Sequence, residues 1–539
     1  MSNQPTNVEE SAPVEVPEET NIILGSLIST DSTPNLMLQH FRLNSGKVTT
    51  SGRMVAVEAL DNQKNAVLIL ARVKNVREFN PHEDAQSSKL REVLPIGSRY
   101  PDESKSTVIY RVVEIEPLEE AVLNTKGEVE KIRSVETLPR SGAVVLDATP
   151  ELIVKTMGLD PNPDNGIHIG TIHGNSNIEV VLNKNVIQRH VLIVGGIGSG
   201  KSYTRGVLAE ELWRFGVPQI NVDIMGEMVD ATNELGGTNL VPGKDGFTLP
   251  LSALTSEDVI DAIPGVHSGT NIEVLIRYAH EKLLKERTLS KGEFFTVDDL
   301  VKKIDSVAPE LEMDKPVTKN PAKMRAGSLE RLPYIGKPFD WESAIKPGAI
   351  INIDCRGLLV SDIRLIVASI ARDLQRLANA KKLPFIIFSM DEFHLVAPAH
   401  EEDSISTQVL REIARIGRHY KIGLVLTTQS PSDVDRSILK RLLTRFLHAI
   451  EADQLDSLRG VFSDASEELV KQLPKMPIGT CIVTGSAETV KHATMIDIKK
   501  RQTTHGGKTP DIWPDFAKRG WVGKKPLSKE GPAQGTLNV

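Results

Sequence analysis

The run His190-Val191-Leu192-Ile193-Val194 reads as a buried strand and leads straight into Gly195-Gly196-Ile197-Gly198-Ser199-Gly200-Lys201-Ser202; the next segment, Tyr203 to Phe215, is competent to form a helix. Strand, glycine-rich loop and helix therefore come in the order that the pattern GxxxxGK[ST] needs in order to hold phosphate. The glycines let consecutive backbone N–H groups point at phosphate oxygens, and the helix N-terminus adds its partial positive charge. Lys201 is placed to bridge the β- and γ-phosphates of ATP. Ser202 is placed to put its hydroxyl on Mg²⁺, an ion that prefers oxygen ligands and keeps several waters. The expected nucleotide-binding positions run from Gly195 to Tyr203 (Gly195, Gly196, Ile197, Gly198, Ser199, Gly200, Lys201, Ser202 and Tyr203), with ATP and Mg²⁺ as cofactors.

A second element carries acids. Pro384-Phe385-Ile386-Ile387-Phe388-Ser389-Met390 has the pattern of a buried strand and ends in Asp391-Glu392. In a parallel sheet the C-terminal strand ends face the ligand crevice, so both carboxylates are expected beside the nucleotide. Asp391 suits the outer shell of Mg²⁺, and Glu392 suits polarising the water that attacks the γ-phosphate. Asn221-Val222-Asp223-Ile224-Met225-Gly226-Glu227 delivers two more acids after another strand, Asp223 being assigned to the metal and Glu227 to the catalytic set. Val425-Leu426-Thr427-Thr428 ends on Gln429, an amide that could sense the γ-phosphate or align water.

These residues need a sheet to hold them. Beyond Gln188, apolar strands alternate with amphipathic helices, which predicts a mainly parallel α/β sheet. Its strands are expected at Val191–Val194, Gln219–Ile224, Ala349–Asp354, Phe385–Met390, Leu424–Thr428 and Cys481–Thr484. A helix-rich segment from about Thr255 to Pro333 interrupts the series, and its apolar spacing, as in Ile272–Leu284 and Val297–Ile304, reads as core packing. Upstream, the short apolar or alternating runs Ile22–Ile28, Met54–Leu60, Ala66–Val73 and Val108–Ile115 predict a small all-β barrel, with the polar stretch Asn80–Lys105 as a long loop. Residues 1–20 are acidic, with Glu9, Glu10, Glu15, Glu18 and Glu19 and no basic residue, the composition of a disordered leader. The expected units are therefore that leader, a barrel over 21–185, the α/β unit over 186–254 and 334–510, a helical insertion over 255–333, and a tail over 511–539.

Composition narrows the class. Across 539 residues, 64 Lys and Arg face 71 Asp and Glu for a net charge of −7, with 25% charged and 40% hydrophobic residues, which excludes a membrane bundle, a collagen and a globally disordered chain. A nucleic-acid contact would need a local basic surface, because the chain as a whole repels phosphate. Two cysteines, Cys355 and Cys481, exclude a disulfide framework or a zinc knuckle and fit a reducing, cytoplasmic location. No apolar run of about 18 residues and no signal-peptide layout is visible, so neither export nor membrane anchoring is expected.

Taken together, the sequence resembles the HerA branch of the HerA–FtsK superfamily of P-loop ATPases. The resemblance rests on Gly195–Ser202, Asp223 with Gly226-Glu227, the strand ending in Asp391-Glu392, Ile413-Ala414-Arg415-Ile416-Gly417-Arg418, Leu424–Gln429 with Ser430-Pro431-Ser432-Asp433-Val434-Asp435, and the closing His505-Gly506-Gly507. It implies a RecA-like ATPase domain with an N-terminal β-barrel and a helical insertion, assembled as a homo-hexamer around double-stranded DNA and working with a nuclease or sirtuin-type effector in DNA repair or antiviral defence. An ATP-gated ring scaffold with little translocation is the alternative. By the same resemblance, Lys201 and Ser202 serve phosphate and Mg²⁺, Glu392 activates water, Gln429 is a sensor, and an arginine acts on the neighbouring subunit's nucleotide. Arg418 best matches the Gly-Arg pair of the family, Arg415 is the other candidate, and Arg189 resembles a basic position able to reach phosphate. Met228 departs from the family pattern, which often has an aromatic residue there.

Overall fold

The computed structural model describes residues 22–506 apart from 31–32, 80–109, 161, 245, 291–293, 401–403, 456–466 and 486–490. The expected leader, the polar stretch Asn80–Lys105 and the expected tail lie outside the described residues.

Seven strands form the front of the molecule: β1 (Ile23–Ile28), β2 (Gln39–Leu43), β3 (Met54–Leu60), β4 (Ala66–Phe79), β5 (Tyr110–Leu123), β6 (Val129–Arg133) and β7 (Val144–Asp147). Their order is β2-β1-β7-β3-β4-β5-β6, and a further pairing of β2 with β5, from Gln39↔Ile115 to Arg42↔Val112, closes six of them into a barrel. Closure pairs the edges that an open sheet would expose. The two long strands bend at irregularities between Leu70 and Ala71 and between Val73 and Asn75, which lets them wrap the barrel. Alternation along β3 shows why these residues make a two-sided strand. Val55 and Val57 join the barrel's own core with Phe41, Ile69 and Ile115, whereas Met54 and Ala56 join a core shared with the neighbouring sheet.

That neighbour has eleven strands: β8 (Ile167–Ile172), β9 (Asn175–Leu182), β10 (Val191–Val194), β11 (Gln219–Asp223), β12 (Thr238–Leu240), β13 (Ile350–Asp354), β14 (Ile386–Met390), β15 (Ile422–Thr428), β16 (Thr444–Leu447), β17 (Thr480–Thr484) and β18 (Thr494–Ile498). Their order is β12-β13-β11-β14-β15-β10-β16-β17-β18-β8-β9. The first seven in that order are parallel and the last four antiparallel. The strands β8 and β9, expected in the barrel unit, are instead the outer pair of this sheet. The partner that recruits them is β18, through Ile496↔Ile172, more than three hundred residues away in sequence.

Both faces of the parallel part are covered, as a parallel sheet requires. Leu192 and Val194 of β10 face a core made with the helices Val360–Asn379 and Ile405–Tyr420 and with the helical insertion, where Leu275, Ile276, Leu300 and Ile304 are buried. Val191 and Ile193 face the opposite core with Leu208 and Leu212 of the helix Lys201–Arg214 and with the barrel. The insertion is therefore packed as its apolar spacing predicts, and two of its helices begin at capping boxes, on Thr255 with Asp258 and on Thr296 with Asp299. Among the described residues no helix is long and apolar enough to cross a membrane.

The barrel is fastened by Arg72 of β4. Its guanidinium is buried, donating to the Ala493 carbonyl at 2.5 Å, just before β18, and to Glu116 at 2.7 Å. Arg72→Ala leaves both acceptors without their donor and is expected to cost about 2–3 kcal/mol. Removing the exposed Arg77, which pairs with Glu114 on the same barrel, is expected to cost less than about 1 kcal/mol. Urea unfolding midpoints of the two variants check the contrast.

Candidate active site

β10 lies in the middle of the sheet between β15 and β16, with Val194 level with Thr428 and with Leu447. The loop that follows is pinned on both sides: the Gly195 N–H donates to the Thr428 carbonyl at 3.4 Å and the Gly196 N–H to the Ala449 carbonyl at 2.7 Å. A Cβ at position 195 would lie 2.5 Å from Ser199 Oγ and 2.6 Å from the Cβ of His448. Gly200, at φ 113°, has a backbone that side chains rarely adopt. The sequence thus spends its glycines where the loop has no room or takes a left-handed turn. Lys201 opens the helix Lys201–Arg214, is buried, and donates to the Gly196 carbonyl at 3.0 Å. Burial pulls its pKa down, and Glu392 and Glu227 facing it pull the other way. A buried ammonium with two carboxylates in range, a half-buried Ser202 and a helix N-terminus together fit a nucleotide phosphate with its Mg²⁺.

The sheet order β11-β14-β15-β10 brings the other expected elements to the same edge in neighbouring positions: Asp223 to Glu227, then Asp391-Glu392, then Gln429, then the loop. Gln429 is half-buried. Glu392 adopts φ 39° and ψ 47°, a left-handed conformation that costs a non-glycine residue free energy and recurs at functional sites. Its Oε2 is buried with no hydrogen-bond partner. Both features agree with a carboxylate held ready for a small polar molecule.

Two of the expected acids are engaged by the backbone of the next turn. Asp223 is fully buried; one carboxylate oxygen accepts the Glu227 N–H at 2.9 Å, and the other accepts the Met228 N–H at 3.0 Å and the Asn352 amide at 3.2 Å. Asp391 accepts the N–H groups of Ile224 at 2.8 Å and Met225 at 3.2 Å and lies 3.5 Å from the Arg205 guanidinium. Burial pushes the Asp391 carboxyl up, with Arg205 opposing it. All four of these oxygens shape the turn 224–228, which aims Glu227. Among the described residues no group of three or more His, Cys, Asp and Glu could hold a metal ion. Met228 fills a small apolar cluster with Ala209 and Ala231, so the site of the missing aromatic is packed.

The arginines lie elsewhere. The helix Ile405–Tyr420 descends from the site's edge of the sheet to the opposite edge, where β15 starts, and carries Arg415 and Arg418 exposed on its outer side near that end. Arg189 precedes β10, which sets it roughly 13 Å or more from the loop at about 3.3 Å per residue. Within its own chain Arg189 therefore stands at the end of β10 opposite the phosphate loop. Tyr203 is also redirected, since its hydroxyl accepts the Arg501 N–H at 2.6 Å and its ring meets His505 edge-on at 5.8 Å. Its backbone N–H remains in the first helical turn. The segment from Arg501 onward straps this helix, with Thr503 N–H on Glu210 at 2.7 Å, and brings Gly506 so close to Glu227 that a Cβ there would lie 2.8 Å from the Glu227 carbonyl oxygen.

Sequence reasoning missed two histidines. His448 lies under the loop, buried, with Nε2 2.9 Å from Thr204 Oγ1. His394 stands beside Glu392, and its spacing of two residues from that acid is the signal that could have found it.

Two expectations follow. Asp223→Ala strips three donors of their acceptor and should lower stability by about 3 kcal/mol or more, whereas Asp223→Asn should keep the Mg²⁺ concentration for half-maximal ATP turnover unchanged; a large rise would support the metal role. Burial holds His448 and His190 down to about 4, with Lys201 adding to the effect at His448. As the pH falls from about 6.5 toward 4 the unfolded chain gains protons that the folded chain refuses, so each imidazole removes up to about 1.4 kcal/mol of stability per pH unit. The loss is absent above about pH 7, and His448→Asn should roughly halve this histidine contribution in melting temperatures measured between pH 7 and 5.

Comparison with known proteins finds relatives that share this sheet edge. A family model described as "Helicase HerA, central domain" matches residues 167–374, starting at β8 rather than at the barrel. The "Probable helicase MJ1565" of Methanocaldococcus jannaschii is 26% identical over 388 residues, covering 68% of this chain and 73% of its own. The "DNA double-strand break repair helicase HerA" of Sulfolobus acidocaldarius is 24% identical over 365 residues, covering 64% of this chain and 72% of its own. Among solved structures, VirB4 of Thermoanaerobacter pseudethanolicus superposes with a TM-score of 0.52 at 16% identity over 63% of this chain and 98% of that one, a likeness of fold. The glycine loop between β10 and its helix, the acid-bearing strand ends beside it and the family match over 167–374 make the chain a helicase-type P-loop ATPase similar to the HerA helicases.

Proposed function

We propose that the protein is an ATP-driven motor that moves along double-stranded DNA as a homo-hexamer. The observation that carries the reading is the meeting of buried Lys201, Glu392 with its unpartnered Oε2, and Gln429 at adjacent strand ends. In this reading the N–H groups of Gly195–Ser202 and the Lys201 ammonium bind the β- and γ-phosphates, and Ser202 contributes its hydroxyl to Mg²⁺. The metal, when bound, offsets charge on the phosphate oxygens. Glu392 accepts a proton from the attacking water while Gln429 orients that water, and Glu227 stands by as a second carboxylate facing Lys201. Arg418 serves the neighbouring subunit's nucleotide, with Arg415 as the alternative; both lie too far down their own helix to serve their own site. The barrel is the docking unit for a nuclease or other effector, in DNA processing or antiviral defence, and the two free cysteines suit the cytoplasm.

Glu392→Gln should still bind ATP but lose about 10²–10⁴ in turnover, whereas Lys201→Ala should lose binding. Near wild-type turnover in Glu392→Gln would reject the assignment. Long duplex DNA should stimulate turnover, with an affinity that falls steeply as salt rises, because a chain of net charge −7 holds DNA only through local Lys and Arg. Equal turnover with and without duplex at low salt would favour the ring-scaffold reading. Rings mixed from Arg418→Ala and Glu392→Gln subunits should regain activity that neither homogeneous ring has.

A further inference from the structure

His394 is the middle residue of the short turn Phe393–Leu395 that follows Glu392, and only 17% of its side chain is exposed. Its Nδ1 lies 3.4 Å from Glu392 Oε2 and also 3.4 Å from Thr428 Oγ1. One ring nitrogen cannot serve both. With a proton on Nδ1 the ring donates to the carboxylate. With the proton on Nε2 instead, Nδ1 accepts from the Thr428 hydroxyl.

Thr428 is tied in two further directions. Its hydroxyl oxygen accepts the Ser430 N–H at 3.1 Å, which fixes the turn that presents Gln429. Its carbonyl accepts the Gly195 N–H at the start of the phosphate loop. A hydroxyl that already accepts from Ser430 is free to donate to Nδ1, and Glu392 Oε2 has no hydrogen bond, so the structure matches the second arrangement.

We propose that His394 is a positioning residue that couples the turn at Gln429 to Glu392. The proposal rests on the reading of Glu392 as the group that takes the proton of the attacking water. While the turn Thr428–Ser430 is formed, Thr428 occupies Nδ1 and leaves Oε2 open to water. When the turn opens, the neutral ring exchanges tautomer through water, releasing the Nε2 proton and taking one up at Nδ1, and Nδ1–H then donates to Glu392 Oε2 and holds the carboxylate away from its task. Hydrolysis in a subunit then depends on the state of the loop between its phosphate loop and its sensing amide.

The test is a double-mutant cycle on ATP turnover in the full-length chain. Thr428→Val removes the competing hydroxyl, so His394 should hold Glu392 permanently. The expected result is a fall in kcat of about tenfold or more with KM changed less than about threefold. Thr428→Ser, which keeps a hydroxyl, should recover most of that loss. In a His394→Ala background the same Thr428→Val change should lower kcat several-fold less than it does in the wild type, what remains being the loss of the Ser430 contact, because nothing is left to hold the carboxylate. Should the alanine variant fail to fold, His394→Phe keeps the ring volume without a nitrogen and serves in its place. Equal effects of Thr428→Val in both backgrounds, or no effect in either, overturn the proposal. Glu392→Gln is measured alongside: if it turns over ATP normally, the reading of Glu392 itself fails, whereas an inactive Glu392→Gln with an additive cycle sinks only the role of His394.

Discussion

A lysine ammonium held almost wholly out of water is the constraint around which the site is arranged. Lys201 is 8% exposed, and its backbone is fixed by a loop with no space for side chains at Gly195 and an unusual turn at Gly200. Burying a cation without compensation costs several kcal/mol, so anions must come to it. The protein supplies Glu392 and Glu227 from two other strand ends, and each is held by a device of its own. Glu392 is turned inward by a left-handed backbone, and Glu227 by a turn whose N–H groups are collected by Asp223 and Asp391. A polyanionic phosphate is the ligand that such a buried, partly compensated cation suits best.

The sheet makes this arrangement possible because its strands finish level. Val222 pairs with Met390, Met390 with Leu426, and Val194 with Thr428, so loops hundreds of residues apart in sequence emerge side by side. The same register sends helix C-termini to the other edge, which is why Arg189, Arg415 and Arg418 are absent from their own chain's crevice. Buried Arg205 ties the acid-rich side together through Asp391 and Ser389, and the strap from Arg501 to Gly506 braces the helix that carries Lys201.

Much of this was legible in the sequence, for identifiable reasons. The phosphate loop announces itself because glycine spacing, Lys201 and the flanking strand and helix are all local. The strand ends at Asp391 and Gln429 were legible because a fully buried parallel strand is a short apolar run that stops where polarity begins. The affiliation of β8 and β9 was not legible, since their alternation fits any antiparallel pair and only the distant β18 decides it. The structural use of Asp223 and Asp391 was also hidden: an acid after a strand looks the same whether its oxygens meet a metal or the backbone N–H groups of the next turn. His448 escaped because a lone histidine carries no signal until Thr204 is brought to it by the fold, and His394, although two residues from Glu392, meets Thr428 only through the fold.

Where the Glu392 carboxylate lies at the moment of hydrolysis decides whether it takes the proton of the attacking water. A structure of the assembled protein with Mg²⁺, ADP and a planar fluoride mimic of the transferring phosphoryl group would show this directly. The prediction is a water in line with the mimic, within hydrogen-bond distance of Glu392 Oε2 and of the Gln429 amide, with Lys201 on the phosphate oxygens. A water held by other residues, with Glu392 turned away from the mimic, would contradict it.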